Sequence, residues 1–216
     1  MRQARAAPRK PADGWTRAER SLLRGLRSPA GIQAYLYGLA YRAEEKAACP
    51  RNVLSERRAH CFDGALLAAA ALAELGHPPV LLDLWAERDD DHVLAVFRAD
   101  GCFGAVAKSN YVGLRFREPI FRTLRELVLS YFEGYFNPRR EKTLRAYSGL
   151  LHLAQFDRLH WRFRDEPLPT ISDRLDALRH TPLLTPRMKR RLTRVDPRSE
   201  RAGLLGANPA GIYRGS

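Results

Sequence analysis

Apolar side chains recur at helical spacing in two short segments near the start of the chain. Thr16 and Glu19 form the pattern of a capping box ahead of the first segment, and Ser28 with Pro29 supplies an N-cap and a first-turn proline for the second. The apolar residues are Leu22, Leu23 and Leu26 in the first segment and Ile32, Tyr35, Leu36 and Leu39 in the second. The pattern predicts two short helices, of which the second packs on the core.

The segment 61–75 is apolar on nearly every side, because Ala and Leu fill most of its positions. A helix without a polar face is buried on most sides. Gly76 follows as a left-handed helix stop, and Pro78 with Pro79 prevents continuation. We therefore predict a buried helix at the centre of the fold.

Three short apolar runs follow this helix and are typical of strands. The predicted strands are 80–86, 92–98 and 102–108. Because only Ala99, Asp100 and Gly101 separate the second run from the third, we expect an antiparallel hairpin in which Arg98 pairs with Cys102.

A further capping box, Thr123 with Glu126, lies in a broad apolar stripe over 121–136. The stripe predicts one helix on the other side of the core. A buried helix followed by an antiparallel sheet and flanking helices is an α+β fold.

The net charge of +13 is concentrated at the two ends of the chain. Residues 1–28 and residues 181–216 each carry a net +6, whereas 29–180 carries +1. This predicts a basic N-terminal arm with a short helix, a central domain with a helical extension, and a basic, partly flexible C-terminal tail. Basic arms bind polyanions such as nucleic acid, but 32 of the 37 basic residues are Arg, which a GC-rich genome also produces. A polyanion partner and simple solvated tails both remain open.

Several classes of protein are disfavoured by what the sequence lacks. No apolar run approaches the roughly 18 residues of a membrane span, and no secretory h-region follows the basic start, so we expect a cytoplasmic protein. Three cysteines without a short repeated spacing argue against a disulfide framework and a zinc site. Consecutive carboxylates diverge, so Asp89-Asp-Asp91-His92 predicts a solvated loop rather than a metal site. No cofactor is expected.

Cys61 stands in the first turn of the predicted buried helix. Unpaired N–H groups and the helix dipole stabilise a thiolate there and make it a nucleophile. The alternative is a small buried hydrophobic residue. The adjacent His60 points elsewhere on the helix, and Asp63 is expected to be a first-turn acid that favours the dipole.

His92 begins the middle predicted strand, 31 residues after Cys61. This order of elements allows a helix N-terminus to point its thiol at an imidazole. In the expected hairpin register His92 lies opposite Lys108, one or two residues from Ser109 and Asn110. A polar side chain at that place would accept from the second imidazole nitrogen and hold the ring.

These segments together resemble the transglutaminase-like superfamily, whose core is papain-like. The segments that carry the resemblance are Arg58-Ala-His-Cys61-Phe-Asp63-Gly-Ala65, Leu75-Gly76, Asp91-His92-Val and Gly101-Cys-Phe103. They span roughly 51–111, about a quarter of the chain. The resemblance implies a cysteine nucleophile and a histidine base. The family usually has an Asp on the third strand, but no acidic residue lies between Gly101 and Glu118, so Asn110 is the expected replacement and Ser109 the lesser one.

The sequence therefore predicts a thiol enzyme that acts on an amide or acyl bond of a peptide, protein or small amide through Cys61, His92 and Asn110. Peptidase, amidase and acyl-transfer activities all remain open. One alternative is a catalytically inactive binding or scaffold protein of the same fold, docked to polyanions through its basic arms. Another is nucleic-acid binding through the arms alone.

Overall fold

The computed structural model describes residues 13–44 and 46–214, which fold as an α+β protein with an antiparallel sheet. The α-helices are α1 Arg17–Gly25, α2 Pro29–Tyr37, α3 Pro50–Glu56, α4 Cys61–Glu74, α5 Leu124–Leu129, α6 Leu168–Asp176, α7 Pro186–Lys189 and α8 Pro197–Gly203. The strands are β1 Ala40–Tyr41, β2 Arg58–Ala59, β3 Val80–Ala86, β4 His92–Ala99, β5 Cys102–Val106, β6 Arg117–Phe121, β7 Leu144–Ser148, β8 Leu151–His152 and β9 His180–Pro182. Residues 1–12 of the predicted N-terminal arm, which was placed at 1–28, lie outside the described residues.

The main sheet has the strand order β6-β5-β4-β3-β7-β9, and β8 pairs with the start of β3. All neighbours in this sheet are antiparallel. Strands β1 and β2 form a separate parallel pair, and β2 directly precedes the N-cap of α4. The three predicted strands are therefore β3, β4 and β5, at the middle of a wider sheet.

The predicted helix starts are confirmed by their caps. Thr16 and Glu19 form a capping box at α1, and the Ser28 hydroxyl accepts from the Gly31 N–H at the start of α2. Helix α4 begins at Cys61 and is followed by Gly76, whose φ of 90° is the left-handed conformation that favours glycine.

The expected hairpin register is wrong by one residue. Ala99 pairs with Cys102, and Arg98 pairs with Phe103. The connection is the two-residue turn Asp100-Gly101, with φ values of 49° and 79°, which matches the right-handed twist of the strands. Because this short turn brings Ala99 into the ladder, the strands meet one residue further along than a three-residue loop would allow.

The two faces of the sheet are buried in different clusters. Val93, Ala95 and Phe97 of β4 pack with α4 and the neighbouring helices, whereas Leu94 and Val96 pack in a second cluster that includes side chains from α5 and from the segment after it. The alternation follows the two-residue period of a strand. Odd-numbered positions of β4 therefore face α4, and even-numbered positions face away from it.

The helix predicted over 121–136 is replaced in the structure by a shorter one. Helix α5 ends at Leu129, and a 3₁₀ turn at Phe132–Gly134 follows. The Tyr131 N–H bonds to the Val128 carbonyl, a tighter pattern that ends the α-helical ladder. The apolar stripe is nonetheless buried, since Tyr131 and Tyr135 are in the core.

The C-terminal region packs on the rest of the fold. The boundary predicted at residue 180 falls inside β9, which pairs with β7, and α7, α8 and a 3₁₀ turn at Pro209–Gly211 follow. No helix within 13–44 and 46–214 is both long and apolar enough to cross a bilayer.

Candidate functional site

Helix α4 presents Cys61 as its first residue, directly after the N-cap His60. The imidazole Nδ1 of His60 accepts from the Phe62 N–H at 3.1 Å and from the Asp63 N–H at 3.4 Å. In the described part of the chain, the Cys61 N–H has no hydrogen-bond partner. His60 therefore has a structural role as the cap of the helix, and the free donor of its first turn lies at Cys61.

Asp63 anchors the chain before the helix. Its side chain is fully buried and accepts from the Ala48 N–H at 2.8 Å, while Arg42 Nε lies 3.0 Å from Asp63 Oδ2. It also completes a capping box with His60. Burial raises the pKa of the Asp63 carboxyl, and the charges of His60 and Arg42 and the main-chain donors oppose that rise. Asp63 thus fixes where Cys61 lies rather than reacting itself.

The Cys61 thiol is held against the start of β4. Its Sγ lies 3.8 Å from the Asp91 carbonyl oxygen, and the residue keeps intermediate exposure. Burial of the sulfur raises the pKa of the thiol to about 12, although the N–H groups of Val93 and Phe62 oppose the rise. In this state Cys61 is a protonated thiol at neutral pH.

His92 is buried on the face of β4 that points away from α4. Its Nε2 lies 2.7 Å from the Leu114 carbonyl oxygen, and its ring meets the Tyr135 ring edge-on at 6.4 Å between centroids. A carbonyl can only accept, so Nε2 carries the proton and Nδ1 keeps its lone pair. Burial lowers the pKa of the imidazole to about 4, which makes His92 neutral at physiological pH.

Cys61 and His92 belong to opposite faces of the sheet, since Cys61 lies on α4 and His92 faces away from that helix. As an even-numbered residue of β4, His92 faces away from α4, and Val93 is the residue that faces the helix. Both side chains line one small cavity of about 50 Å³. Within the described residues, the thiol and the imidazole are not hydrogen-bonded to each other.

Asn110 also lines this cavity, but its side chain is bound elsewhere. Its amide nitrogen donates to the carbonyls of Asn208 and Gly211, at 2.8 and 3.0 Å, and its oxygen accepts from the Asn208 N–H at 2.7 Å. The orienting bond to His92 therefore comes from the main chain of Leu114 and not from Asn110. The physical reason is that the C-terminal region saturates the Asn110 amide.

The other polar residues predicted near His92 have structural partners as well. The Ser109 hydroxyl accepts from the Tyr111 N–H at 3.0 Å. Lys108 Nζ donates to the carbonyls of Leu36 and Leu39 at the end of α2. Burial lowers the pKa of Lys108 to about 8. Both side chains fix the chain around the cavity.

A pair between buried Asp83 and partly exposed His180, on the α4 side of the sheet, was not anticipated from the sequence. Asp83 Oδ2 lies 3.1 Å from His180 Nε2, and burial together with the nearby Asp91 raises the pKa of Asp83 to about 7. Asp83 lines a cleft of about 500 Å³ beside α6. The available signal was an acidic residue inside an otherwise apolar strand, but His180 is 97 positions away in the sequence.

The acidic loop before His92 does not gather its carboxylates. Asp89 Oδ2 accepts from the Thr143 hydroxyl, and Asp91 Oδ1 accepts from the Ala86 N–H. No group of three or more His, Cys, Asp or Glu side chains in residues 13–44 and 46–214 is arranged to hold a metal ion.

Comparison with known proteins leaves this site to be interpreted from its own geometry. A scan against protein-family models and a search of curated proteins returned no match. The resemblance to the transglutaminase-like superfamily thus rests on the order of Cys61, His92 and the strands that carry them, and it stays a prediction.

Proposed function

We propose that the protein is a thiol enzyme with a papain-like, transglutaminase-like core, and that it acts on an amide or acyl bond. The observation that carries the proposal is that the first-turn thiol of α4 and a buried neutral imidazole line the same cavity. A helix start, an imidazole and a fixed tautomer are the components of nucleophilic thiol catalysis.

In the proposed reaction, Cys61 attacks the carbonyl carbon of the substrate while His92 Nδ1 takes the thiol proton. The carbon–nitrogen bond of the resulting adduct breaks, the leaving amine receives that proton, and a thioester remains on Cys61. Water or a second amine then attacks the thioester, His92 takes its proton, and the thiol is restored as the product leaves. The Cys61 N–H, which makes no main-chain hydrogen bond within the described residues, would donate to the developing oxyanion.

The Leu114 carbonyl takes the orienting role in this proposal. Its contact with Nε2 fixes the imidazole tautomer that leaves Nδ1 as the base. A neutral carbonyl stabilises an imidazolium less than a carboxylate does. We therefore expect slower chemistry than in a site whose histidine is held by Asp.

The structure is the resting state in this proposal. With the pKa of the thiol raised to about 12 and that of the imidazole lowered to about 4, proton transfer from Cys61 to His92 is unfavourable. Both shifts are caused mainly by burial. Catalysis therefore requires a state in which the cavity opens to substrate and water.

Acylation by p-nitrophenyl acetate tests the proposal. We expect acetyl transfer to Cys61, detected on its peptide by mass spectrometry, and we expect His92→Ala to slow it by roughly 10²-fold or more, the usual contribution of a general base. Cys61→Ser should abolish the thioester.

Two further histidine variants sharpen this test. His152→Ala, at an exposed position of β8, is the surface control and should leave acylation unchanged. His180→Ala removes the imidazole of the Asp83 pair. Equal acylation of the native protein and His92→Ala would refute the role of His92, and a loss confined to His180→Ala would move the base to that residue.

A catalytically inactive binding or scaffold protein of the same fold is the second candidate. It is favoured by the contact of Cys61 Sγ with the Asp91 carbonyl in place of a contact with His92. Complete absence of Cys61 acylation in a folded protein whose cavity is open would support this candidate.

A further inference from the structure

The C-terminal residues 203–214, here called the strap, pack against the wall of the Cys61–His92 cavity. Gly211 itself lines the cavity, and Asn110, another wall residue, makes three hydrogen bonds to the main chain of the strap. Asn208 Nδ2 also donates to the Tyr41 carbonyl at 3.3 Å. The strap thus binds the cavity wall through directional polar contacts.

The contact between the strap and the wall is also close. A Cβ placed on Gly211 would lie 2.4 Å from Cε1 of Tyr41, and one on Gly203 would lie 2.7 Å from Cζ of Phe136. Real Cβ atoms do not approach other carbon atoms so closely. Tyr41 and Phe136 both line the cavity. Glycine at 211 and 203 therefore lets the strap rest directly on the two aromatic walls.

The space beside Cys61 is too small for a substrate while the strap is in place. The cavity volume of about 50 Å³ is several-fold below the roughly 300 Å³ or more of a ligand pocket. An acyl group with its flanking atoms does not fit while the strap is in place.

We propose that the strap is an autoinhibitory segment that narrows the Cys61–His92 cavity, so that a substrate fits beside Cys61 only when the strap moves away. Control of catalysis by the strap rests on the function proposed above, whereas the narrowing of the space beside Cys61 does not. Hydrogen bonds hold the strap, and its Leu205 is already 75% exposed. Its release would break these bonds and, of its own large apolar side chains, expose only the partly buried Leu204, Ile212 and Tyr213, none of which is in the core.

Alkylation of the protein by iodoacetamide tests this proposal, with each cysteine followed by mass spectrometry of its peptide. Gly211→Val places a branched side chain against Tyr41 and should displace the strap. We expect Cys61 to be alkylated at least roughly tenfold faster than in the native chain, because its apparent reactivity is scaled by the fraction of open molecules. Ala210→Val is the matched control, since residue 210 is exposed, and it should leave the rate unchanged.

The other two cysteines report on the state of each variant. Cys49 is fully buried and should stay unlabelled in a folded protein, while Cys102, at the β4–β5 hairpin, should react at a constant rate. An unchanged Cys61 rate in folded Gly211→Val would overturn the proposal.

If Cys49 becomes reactive and Gly211→Val is therefore unfolded, Asn208→Ala decides. This variant removes the bond to the Tyr41 carbonyl and the cap on the Ala210 N–H. A faster Cys61 rate would support the strap, and an unchanged rate would overturn it. Acylation by p-nitrophenyl acetate separates the two proposals: faster alkylation without acylation contradicts the enzyme alone, and acylation without strap dependence contradicts the strap alone.

Discussion

Burial shifts the pKa values of Cys61 and His92 in opposite directions. In each case it disfavours the charged form, which is the thiolate for Cys61 and the imidazolium for His92. It raises the pKa of the thiol and lowers that of the imidazole. The pair is consequently neutral in the closed state, and the helix N-terminus does not overcome the loss of water around the sulfur. Activation of Cys61 depends on solvent access as well as on its position.

The lowered pKa of His92 predicts a pH-dependent term in stability. The imidazole titrates at about 4 in the folded protein and at about 6.5 when unfolded. Above pH 6.5 both states are neutral and the stabilisation is complete. As the pH falls towards 4, the unfolded chain binds a proton that the folded protein does not, so the free energy of unfolding should decrease by up to roughly 3 kcal/mol.

Urea unfolding of the native protein and of His92→Gln measures this term. Glutamine keeps an N–H donor for the Leu114 carbonyl but does not titrate. The unfolding free energy of the native protein minus that of His92→Gln should therefore decrease as the pH falls from about 6.5 to about 4. A difference that stays constant over that window would mean that His92 is not buried in its neutral form. Asp83, which titrates in the same region, is present in both proteins and cancels.

At the scale of elements, the start of α4 is fixed by how closely the helix approaches the end of β5. A Cβ on Gly64 would lie 2.3 Å from the Cβ of Lys108. Lys108 is itself held by its bonds to the carbonyls of Leu36 and Leu39. Helix α2, helix α4 and the chain after β5 therefore meet at one point, one turn away from Cys61.

Gly64→Ala should destabilise the protein despite the higher helix propensity of alanine. The added methyl group overlaps an atom next to the main chain, which cannot swing away, and the expected loss is about 1–3 kcal/mol in urea unfolding. Gly25→Ala, at the end of α1, has no atom within 4 Å of the new Cβ and should change stability by no more than about 1 kcal/mol, if anything upward. Equal effects of the two substitutions would contradict the close packing at Gly64.

Local signals in the sequence were sufficient for the elements that carry Cys61 and His92. The apolar run gave α4, and the bounds of β3 were predicted at 80–86 as observed. The register of the β4–β5 hairpin was missed by one residue because Asp100 adopts a left-handed conformation that allows a two-residue turn. Strands β6, β7 and β9 were not predicted, since they are short and depend on pairing with distant residues.

The candidate site was predictable only in part, for a related reason. The Leu114 carbonyl that bonds to His92 is a main-chain atom, and no residue type marks its position. The contact of Asn110 with Asn208 joins positions 98 residues apart, so the sequence predicted a catalytic role for an amide that the C-terminal region occupies. Neighbouring residues of a strand point to opposite faces of the sheet. Because Val93 packs against α4, His92 faces away from that helix.

At the scale of the whole molecule, the C-terminal region joins the fold instead of extending from it. Lys189 pairs with Glu87, Arg140 lies 3.9 Å from Glu200, and the strap ends on the cavity wall. Of these two pairs, that of Lys189 with Glu87 offsets basic charge assigned to this region, whereas the other joins its Glu200 to an arginine outside it. Binding of a polyanion by the basic arms stays a prediction.

The most direct test of the account is the pH dependence of Cys61 alkylation by iodoacetamide in Gly211→Val, with and without His92→Ala. If His92 activates an opened thiol, the midpoint for Cys61 should fall below the value of about 8.5 for a free thiol, and adding His92→Ala should return it to that value or above. A midpoint at or above that of a free thiol in Gly211→Val, unmoved by His92→Ala, would contradict a Cys61–His92 catalytic pair.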